Sequence, residues 1–424
     1  MIILFMQKAP LWGDEIRHMS EVQNLLNGYY SPPYPKIELR NGPGYPLFML
    51  PFIALNIPLV FIKLMNAVFL YLSIVFLYKA LLRVVSTRVA LLFGLFWGCY
   101  YNSLDFIALL YAETMSSFLV AATVLLLIKA FEPGGSKNSR KYLYLAGFVI
   151  GFLALTKIIF GYVILCMFIG CGILWLLKRT SVNYRKGLIV LIIAFATVTP
   201  YLAYTYHLTG RIFYWGSSGG DNLYWMSTPY EKEYGSWFPG TMLYADSVKE
   251  SPHRDHTVNN TSTTEYVKGS EDSIRAHHLE NYKKAYHYIG VERDDVFKDL
   301  VYKNIKAHPV KYLQNIISNI GRILFNYPYS YTAQKPGTLA RIPMNGTIVL
   351  LSLFCLIPTF LNWKRVIYPI QFLLFFGLLY LGGSVFGSAE IRMFAVIVPA
   401  LLLWIAFTMQ RTVKINLGFK TNHG

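Results

Sequence analysis

The chain has 424 residues, 54% of them hydrophobic and only 14% charged, with a formal net charge of +17. A soluble domain carries roughly 25% charged residues, so an ordinary soluble enzyme is excluded. The positive charge lies mainly on short connections between apolar runs, which reads as membrane sidedness and not as nucleic-acid binding.

Residues 1–12 read as the end of a span, either an irregular one or one whose beginning lies upstream, and carry no cleavable signal pattern. The stretch LWGDEIRHMSEVQNLLNGYY follows, with Asp14 and Glu15 side by side at the membrane edge. Carboxylates at such a depth are expensive and usually functional. The plainer reading is a solvated helix start, where acidic residues are favourable. Neighbouring helix positions point about 100° apart. One of the two carboxylates therefore acts, and the other orients it or holds a loop. Arg17, at i+3 from Asp14, shares its face and is placed to keep it ionised or to bind a phosphate beside it. A Pro/Gly-rich stretch, SPPYPKIELRNGPGYP, comes next and disfavours a regular helix; Lys36 and Arg40 add positive charge to it.

A membrane helix needs about 20 mostly apolar residues. Spans are predicted at 58–82, 87–104, 106–130, 187–206, 345–361, 366–385 and 390–410. One helix from Tyr142 to Leu177 would be about 54 Å long against a hydrocarbon core of about 30 Å. That run is therefore split at Thr156-Lys157 into two helices. With the first segment this makes about 10 transmembrane helices. Running the first span outward leaves fifteen Lys and Arg on inner loops and tail (Arg83, Arg88, Lys129, Lys137, Arg140, Lys141, Lys178, Arg179, Arg185, Lys186, Lys364, Arg365, Arg411, Lys414, Lys420). Four, namely Arg17, Lys36, Arg40 and Lys157, fall on the outer short segments. The bias puts both termini in the cytoplasm and residues 13–57 and 207–344 outside. The organisation expected is a transmembrane module over 1–206 with a catalytic first external loop at 13–57, an extracytoplasmic cap over 207–344, and C-terminal helices with a cytoplasmic tail over 345–424.

Three further places carry charge where apolar residues dominate. Glu113 in YAETMSS stands at the outer end of the span over 106–130, with Asp105 eight residues earlier; a water-facing helix end is the plain reading. Lys157 in LTKIIFG sits at the outer turn, where snorkelling is one account and a lipid phosphate another. Glu390 and Arg392 in SAEIRMF enter the last span from outside, and Arg392, about one turn inside the apolar run, requires a partner or an anionic ligand. The cap begins with aromatics and glycines over 213–237, placed to stack on sugar rings or to anchor at the interface. Its modest apolar content points to a helical cap resting on the membrane part. His253 and His256, and the adjacent His277 and His278, lie in polar sequence without the spacing of a known metal site, so no metal is expected there. The four cysteines lie inside apolar runs and read as core residues. No phosphate-loop, dinucleotide or nucleophile-elbow pattern occurs.

Taken in order, the acidic pair after the first span, NGPGYPLFMLPF, YAET, LALTK, TPYLAYTYHLTGRIFYWGSSGGDNLY and AEIRMFAVIVPALLL resemble the polytopic glycosyltransferases of the GT-C type. The nearest group holds the protein O-mannosyltransferases and lipid A aminoarabinose transferases. The resemblance implies an all-α polytopic membrane protein with an external helical cap. It implies a donor sugar on a polyprenyl phosphate and a hydroxyl acceptor (lipid, glycan or protein); no residue pattern supports a cofactor, with a divalent metal left open. It places the catalytic carboxylate at Asp14 with Glu15 beside it, and donor-phosphate binding at Arg17, Lys36 and Arg40. Arg392 joins these as a cation, with Glu113, Lys157 and Glu390 as secondary candidates. Asp14 would take the acceptor proton while the hydroxyl inverts the anomeric carbon. The location implied is the bacterial inner membrane. A lipid-linked sugar flippase or transporter and a glycan polymerase are the rival readings. A transporter would show paired halves and helices broken at midplane, and neither is evident in the sequence.

Overall fold

The fold is that of a computed structural model, which describes residues 11, 13–132, 138–177, 182–238, 270–331 and 337–412. The described residues are helical throughout their regular structure. In chain order the helices are α1 (Asp14–Leu26), α2 (Gly44–Ala54), α3 (Leu59–Leu81), α4 (Thr87–Gly98), α5 (Tyr101–Leu104), α6 (Ala112–Ala130), α7 (Ser139–Thr156), α8 (Ile159–Leu176), α9 (Val182–Thr209), α10 (Gly219–Met226), α11 (Ser270–Tyr286), α12 (Gly290–Ala307), α13 (Pro309–Phe325), α14 (Gly337–Leu361), α15 (Tyr368–Phe386) and α16 (Ile391–Thr412). Among them, α3, α6, α8, α9, α14, α15 and α16 are long and apolar enough to cross a bilayer. The all-α, polytopic architecture expected from the sequence is the one observed.

Helices α6 and α16 form the centre of the bundle: 83% of each apolar window is buried, against 22% in α14. The small residues of AETMSSFLVAATVLLLIKA explain this for α6. Without a hydrophobic force between helices in lipid, close backbone approach over Ala, Ser and Thr is what favours packing. Peripheral helices turn large apolar side chains outward, such as Leu91 and Leu92 of α4 and Leu350 and Ile357 of α14. In water such exposure would be unfavourable; here it is the lipid-facing surface.

Of the expected first segment, residues 1–10 and 12 lie outside the described residues; α7 is not among the helices long and apolar enough to cross, and two further spans differ from expectation. The stretch 87–104 is not one helix, because α4 ends at Gly98 and α5 begins at Tyr101. At 1.5 Å per residue α4 is about 18 Å long, well short of a hydrocarbon core. The break is held by a buried polar knot, in which Tyr100 Oη donates to Asn345 Oδ1 at 2.6 Å and Asn102 Nδ2 donates to the same oxygen at 2.9 Å. The next span begins at Ala112 and not at 106, so residues 105–111 form a loop carrying Asp105 and Tyr111. The long run from Tyr142 does break at Lys157, whose backbone is extended between α7 and α8.

The chain before α2 lies against this break. A Cβ on Gly42 would stand 1.9 Å from the Leu155 carbonyl oxygen, and one on Gly44 2.5 Å from Thr156 Oγ1. Only glycines let NGPG approach the α7–α8 turn that closely. Upstream, the Ser217 N–H donates to the Leu39 carbonyl at 2.6 Å, and Ser218 Oγ donates to the Arg40 carbonyl at 3.1 Å. These bonds tie residues 29–44 to the start of the cap at the same end of the bundle as Lys157.

Helices α10 to α13 lie in the stretch expected to form the cap. It has an aromatic core of its own, with Tyr224, Trp225, Tyr282 and Phe297 buried together. Helix α13 is amphipathic in an inverted sense. Asn315, Asn319 and Arg322 are fully buried, while Val310, Leu313 and Ile317 are exposed. The buried amides satisfy loop backbone: Asn315 Nδ2 donates to the carbonyls of Met226 and Thr228 at 3.0 Å each, and Asn319 Nδ2 donates to Val385 O at 2.9 Å. Buried polar groups are affordable only when bonded in this way.

Candidate functional site

The residues singled out in the sequence converge where α1, α6, the α7–α8 turn and the start of α16 meet. Gly13 precedes α1 with φ of 56°, a left-handed turn that favours glycine and sets Asp14 as the first helical residue. Arg17 Nη2 lies 3.0 Å from Asp14 Oδ1, the i,i+3 pair anticipated on one helix face. Arg392 Nη1 donates to Asp14 Oδ2 and stands 3.4 Å from Glu113 Oε1. Glu113 in turn receives a hydrogen bond from Lys157 Nζ at 2.8 Å. Glu390 Oε2 lies 3.0 Å from Arg392 Nε, and the Arg392 guanidinium sits 5.2 Å from the centroid of the Tyr111 ring. Three carboxylates and three cations therefore share one site, from segments that are remote in the chain.

The geometry explains each charge. Arg392 is the second residue of α16, at its very start and not a turn inside it, and takes three carboxylate partners, which offset the penalty of a charge beside the apolar run. Glu113 is buried, not water-facing, and its partner Lys157 is the residue at the helix break. Burial alone would raise the Asp14 carboxyl, but the Arg392 and Arg17 charges overcome it and hold it well below the usual carboxylate range. Asp14 is therefore ionised at any physiological pH. It remains partly exposed, with 15% of its side chain accessible, so a ligand can reach it.

Glu15 points away from this cluster. Its Oε1 accepts the Leu110 N–H at 2.9 Å and lies 3.9 Å from Lys63 Nζ, both side chains being buried. It secures the loop that presents Tyr111, while Asp14 faces the open side. Replacing Glu15 by Gln keeps an acceptor for Leu110 but leaves the Lys63 ammonium buried without a counter-charge. A loss of roughly 1–3 kcal/mol of stability is expected, read as a lower thermal midpoint of the purified protein. Lys36 is exposed on the turn before Ile37, and Arg40 Nε pairs with Glu38 at 2.8 Å. The structure thus gathers Asp14, Arg17, Glu113, Lys157, Glu390 and Arg392, and leaves Glu15, Lys36 and Arg40 in other settings.

Sequence reasoning missed Lys63 and Tyr111. Lys63 was hidden because a single Lys in an apolar helix looks like a tolerated interruption, and Tyr111 because Tyr is abundant throughout the chain. It also missed an apolar groove of about 330 Å³ lined by Leu47, Phe48, Phe69, Met115, Phe118, Leu119 and Phe152. The groove is walled by α2, α3, α6 and α7; Met115 is two residues from Glu113, on another side of α6, and none of the clustered charged residues lines it.

Residues 42–204 match the family model described as dolichyl-phosphate-mannose-protein mannosyltransferase. The match takes in the groove, Glu113 and Lys157; Asp14, Arg17 and Arg392 lie outside it. It points to the same group as the resemblance read from the sequence, the GT-C type membrane glycosyltransferases. No curated protein matches the chain. Among solved structures, ArnT from Cupriavidus metallidurans bound to undecaprenyl phosphate is similar at 11% identity, with a TM-score of 0.40, over 97% of this chain and 76% of that one. AglB, the oligosaccharyltransferase of Archaeoglobus fulgidus, in complex with an inhibitory peptide and a dolichol-phosphate, is similar at 10% identity with a TM-score of 0.47. That likeness covers 93% of this chain but 46% of AglB, so the chain spans under half of its length.

Proposed function

We propose that the protein transfers a sugar from a polyprenyl-phosphate donor to a hydroxyl acceptor on the extracytoplasmic face of the bacterial inner membrane, with inversion at the anomeric carbon. Both termini would lie in the cytoplasm, as the Lys/Arg bias requires. The observation that carries this reading is the ion cluster of Asp14, Arg392, Glu113 and Lys157, in a bundle that also holds an apolar groove between α2, α3, α6 and α7. A lipid phosphate needs both parts at once: cations for the head and an apolar track for the chain. The family match over 42–204 supports the sugar-transfer class.

In this mechanism the polyprenyl chain lies in the groove along Phe48, Phe69 and Phe118, and its phosphate reaches Arg392, with Arg17 and Lys157 nearby. The leaving group is a phosphate anion, so it needs cations more than a general acid. We assign that counter-charge to these side chains. Asp14 takes the acceptor proton as the hydroxyl oxygen bonds to the anomeric carbon and the carbon–phosphate oxygen bond breaks. A carboxylate held so far below its ordinary pKa is a weak base. When the donor phosphate engages Arg392, that cation is shared, and Asp14 regains basicity in the complex. The donor itself thereby activates the base. Glu113 holds Lys157 and Arg392 in place, and Glu15 fixes the loop behind them.

The test is incubation of the purified protein in vesicles with radiolabelled polyprenyl-phosphate sugars and hydroxyl acceptors. Cleavage of the sugar–phosphate bond with transfer is expected. Donor crossing the bilayer with the bond intact indicates a flippase and overturns the proposal; repeated addition to one growing glycan indicates a polymerase and overturns the single-transfer form of it.

A further inference from the structure

A second cluster lies in the cap, away from the groove and from Asp14. Glu233, on the loop after α10, meets His277 and His278 of α11. His277 Nδ1 is 2.7 Å from Glu233 Oε1, and His278 Nε2 is 3.0 Å from Oε2. The three candidate ligand atoms lie within 4.8 Å of one another. We infer that this is a binding site for a zinc-class divalent cation that fastens the cap.

The donor set fits. Two imidazole nitrogens and one carboxylate oxygen are a frequent three-ligand set for zinc, leaving a fourth position for water. With neutral imidazoles the set carries one negative charge, suited to a divalent ion. Bonds of about 2.0–2.2 Å need only that each ligand atom shift slightly around a common centre. The open position is on the His277 side, where 35% of the side chain is accessible, while Glu233 and His278 are buried.

The surroundings are those of an oriented ligand set. The distal nitrogen of His278, Nδ1, is 2.8 Å from Tyr224 Oη, which also accepts from Asn281 Nδ2 at 3.0 Å. Such an outer partner fixes the imidazole tautomer and aims the other nitrogen. The His277 ring stacks on Tyr230 with centroids 3.6 Å apart and planes 7° from parallel, so it too is held. Thr228 and Tyr331 both donate to Glu233, which fixes the carboxylate.

The site also has a clear mechanical place. Glu233 and His277 are 44 positions apart in sequence, so a shared cation would close a long chain segment and remove entropy from the unfolded state. The same loop is clamped to α13, because Lys311 Nζ donates to the Glu233 carbonyl at 2.6 Å and Arg322 Nη1 donates to the Tyr234 carbonyl. Arg322 bonds to Asn319, whose Oδ1 accepts the Ala389 N–H at 3.1 Å, one residue before Glu390. A cation here would secure the cap over the segment that leads into Arg392.

The experiment uses the full chain in detergent, stripped with a chelator and titrated with zinc chloride by calorimetry and thermal unfolding. One zinc per chain and a rise in thermal midpoint are expected. His277→Ala should weaken zinc at least about tenfold and abolish the rise, read against the variant's own metal-free midpoint. Tyr224→Phe, which keeps the ring packing, should weaken zinc by about 10- to 100-fold. The double variant His253→Ala/His256→Ala, at positions outside the described residues, should bind as wild type. Absence of binding, unchanged binding by His277→Ala, or loss of binding in the His253/His256 variant would each overturn the assignment.

Discussion

Asp14→Asn is expected to reduce sugar transfer by about 10²- to 10⁴-fold, the range that general-base catalysis supplies. The substitution preserves shape and leaves an amide oxygen to accept from Arg392, so the site should stay assembled. What it removes is the group that takes the acceptor proton. Initial rates with saturating donor, measured beside the thermal midpoint, separate chemistry from folding. A wild-type rate in this variant would take Asp14 out of the mechanism. The pH profile gives an independent check. Asp14 is depressed below its ordinary value of 3.8 in the free protein, because the Arg392 and Arg17 charges outweigh burial. The sign follows: a depressed carboxylate adds stability above its unfolded pKa, and that stability is lost as pH falls through the folded value. Asp14 therefore sets no acid limb above about pH 4 in kcat/KM, which reports free enzyme. In the donor complex Arg392 is shared with phosphate, so the acid limb of kcat should lie at higher pH than that of kcat/KM.

Much of this site was legible in the sequence, for a reason particular to membranes. An ionised group inside an apolar run is rare enough that each one is a candidate. Asp14, Glu113, Lys157 and Arg392 were each visible alone on that ground. Their meeting was not visible, because Asp14 and Arg392 are 378 positions apart and nothing in local sequence pairs them. Helix length told that the Tyr142–Leu177 run must break, and Lys157 is where it does. The break after α4 could not be read the same way, since the tertiary bond from Tyr100 to Asn345 decides it. Lys36 and Arg40 resembled phosphate ligands only through their charge and their loop; Arg40 pairs with Glu38 and Lys36 is exposed. The groove escaped for a related reason. Its Phe and Met residues look like ordinary lipid-facing or core side chains until the helices are placed.

The same cluster sets the second large expectation, at Arg392. Arg392→Gln removes the cation shared by Asp14, Glu113 and Glu390, two of which are largely enclosed. Breaking a buried pair from one side typically costs roughly 3–5 kcal/mol, because the remaining charge is left uncompensated. Lys157 still faces Glu113 and Arg17 still faces Asp14, so the lower end of that range is expected, read as a fall in thermal midpoint. Transfer should be lost beyond what the folded fraction explains, because the departing phosphate has lost its main counter-charge. Arg392→Lys separates the two effects. It restores the charge and so most of the stability, yet a single ammonium cannot reproduce a guanidinium that meets Asp14 and Glu113 through Nη1 and Glu390 through Nε while also meeting a phosphate. The Lys variant should therefore fold like wild type and transfer slowly, with the deficit in kcat. If it instead transferred at the wild-type rate, Arg392 would serve the resting architecture alone, and the phosphate would have to be met by Arg17 and Lys157.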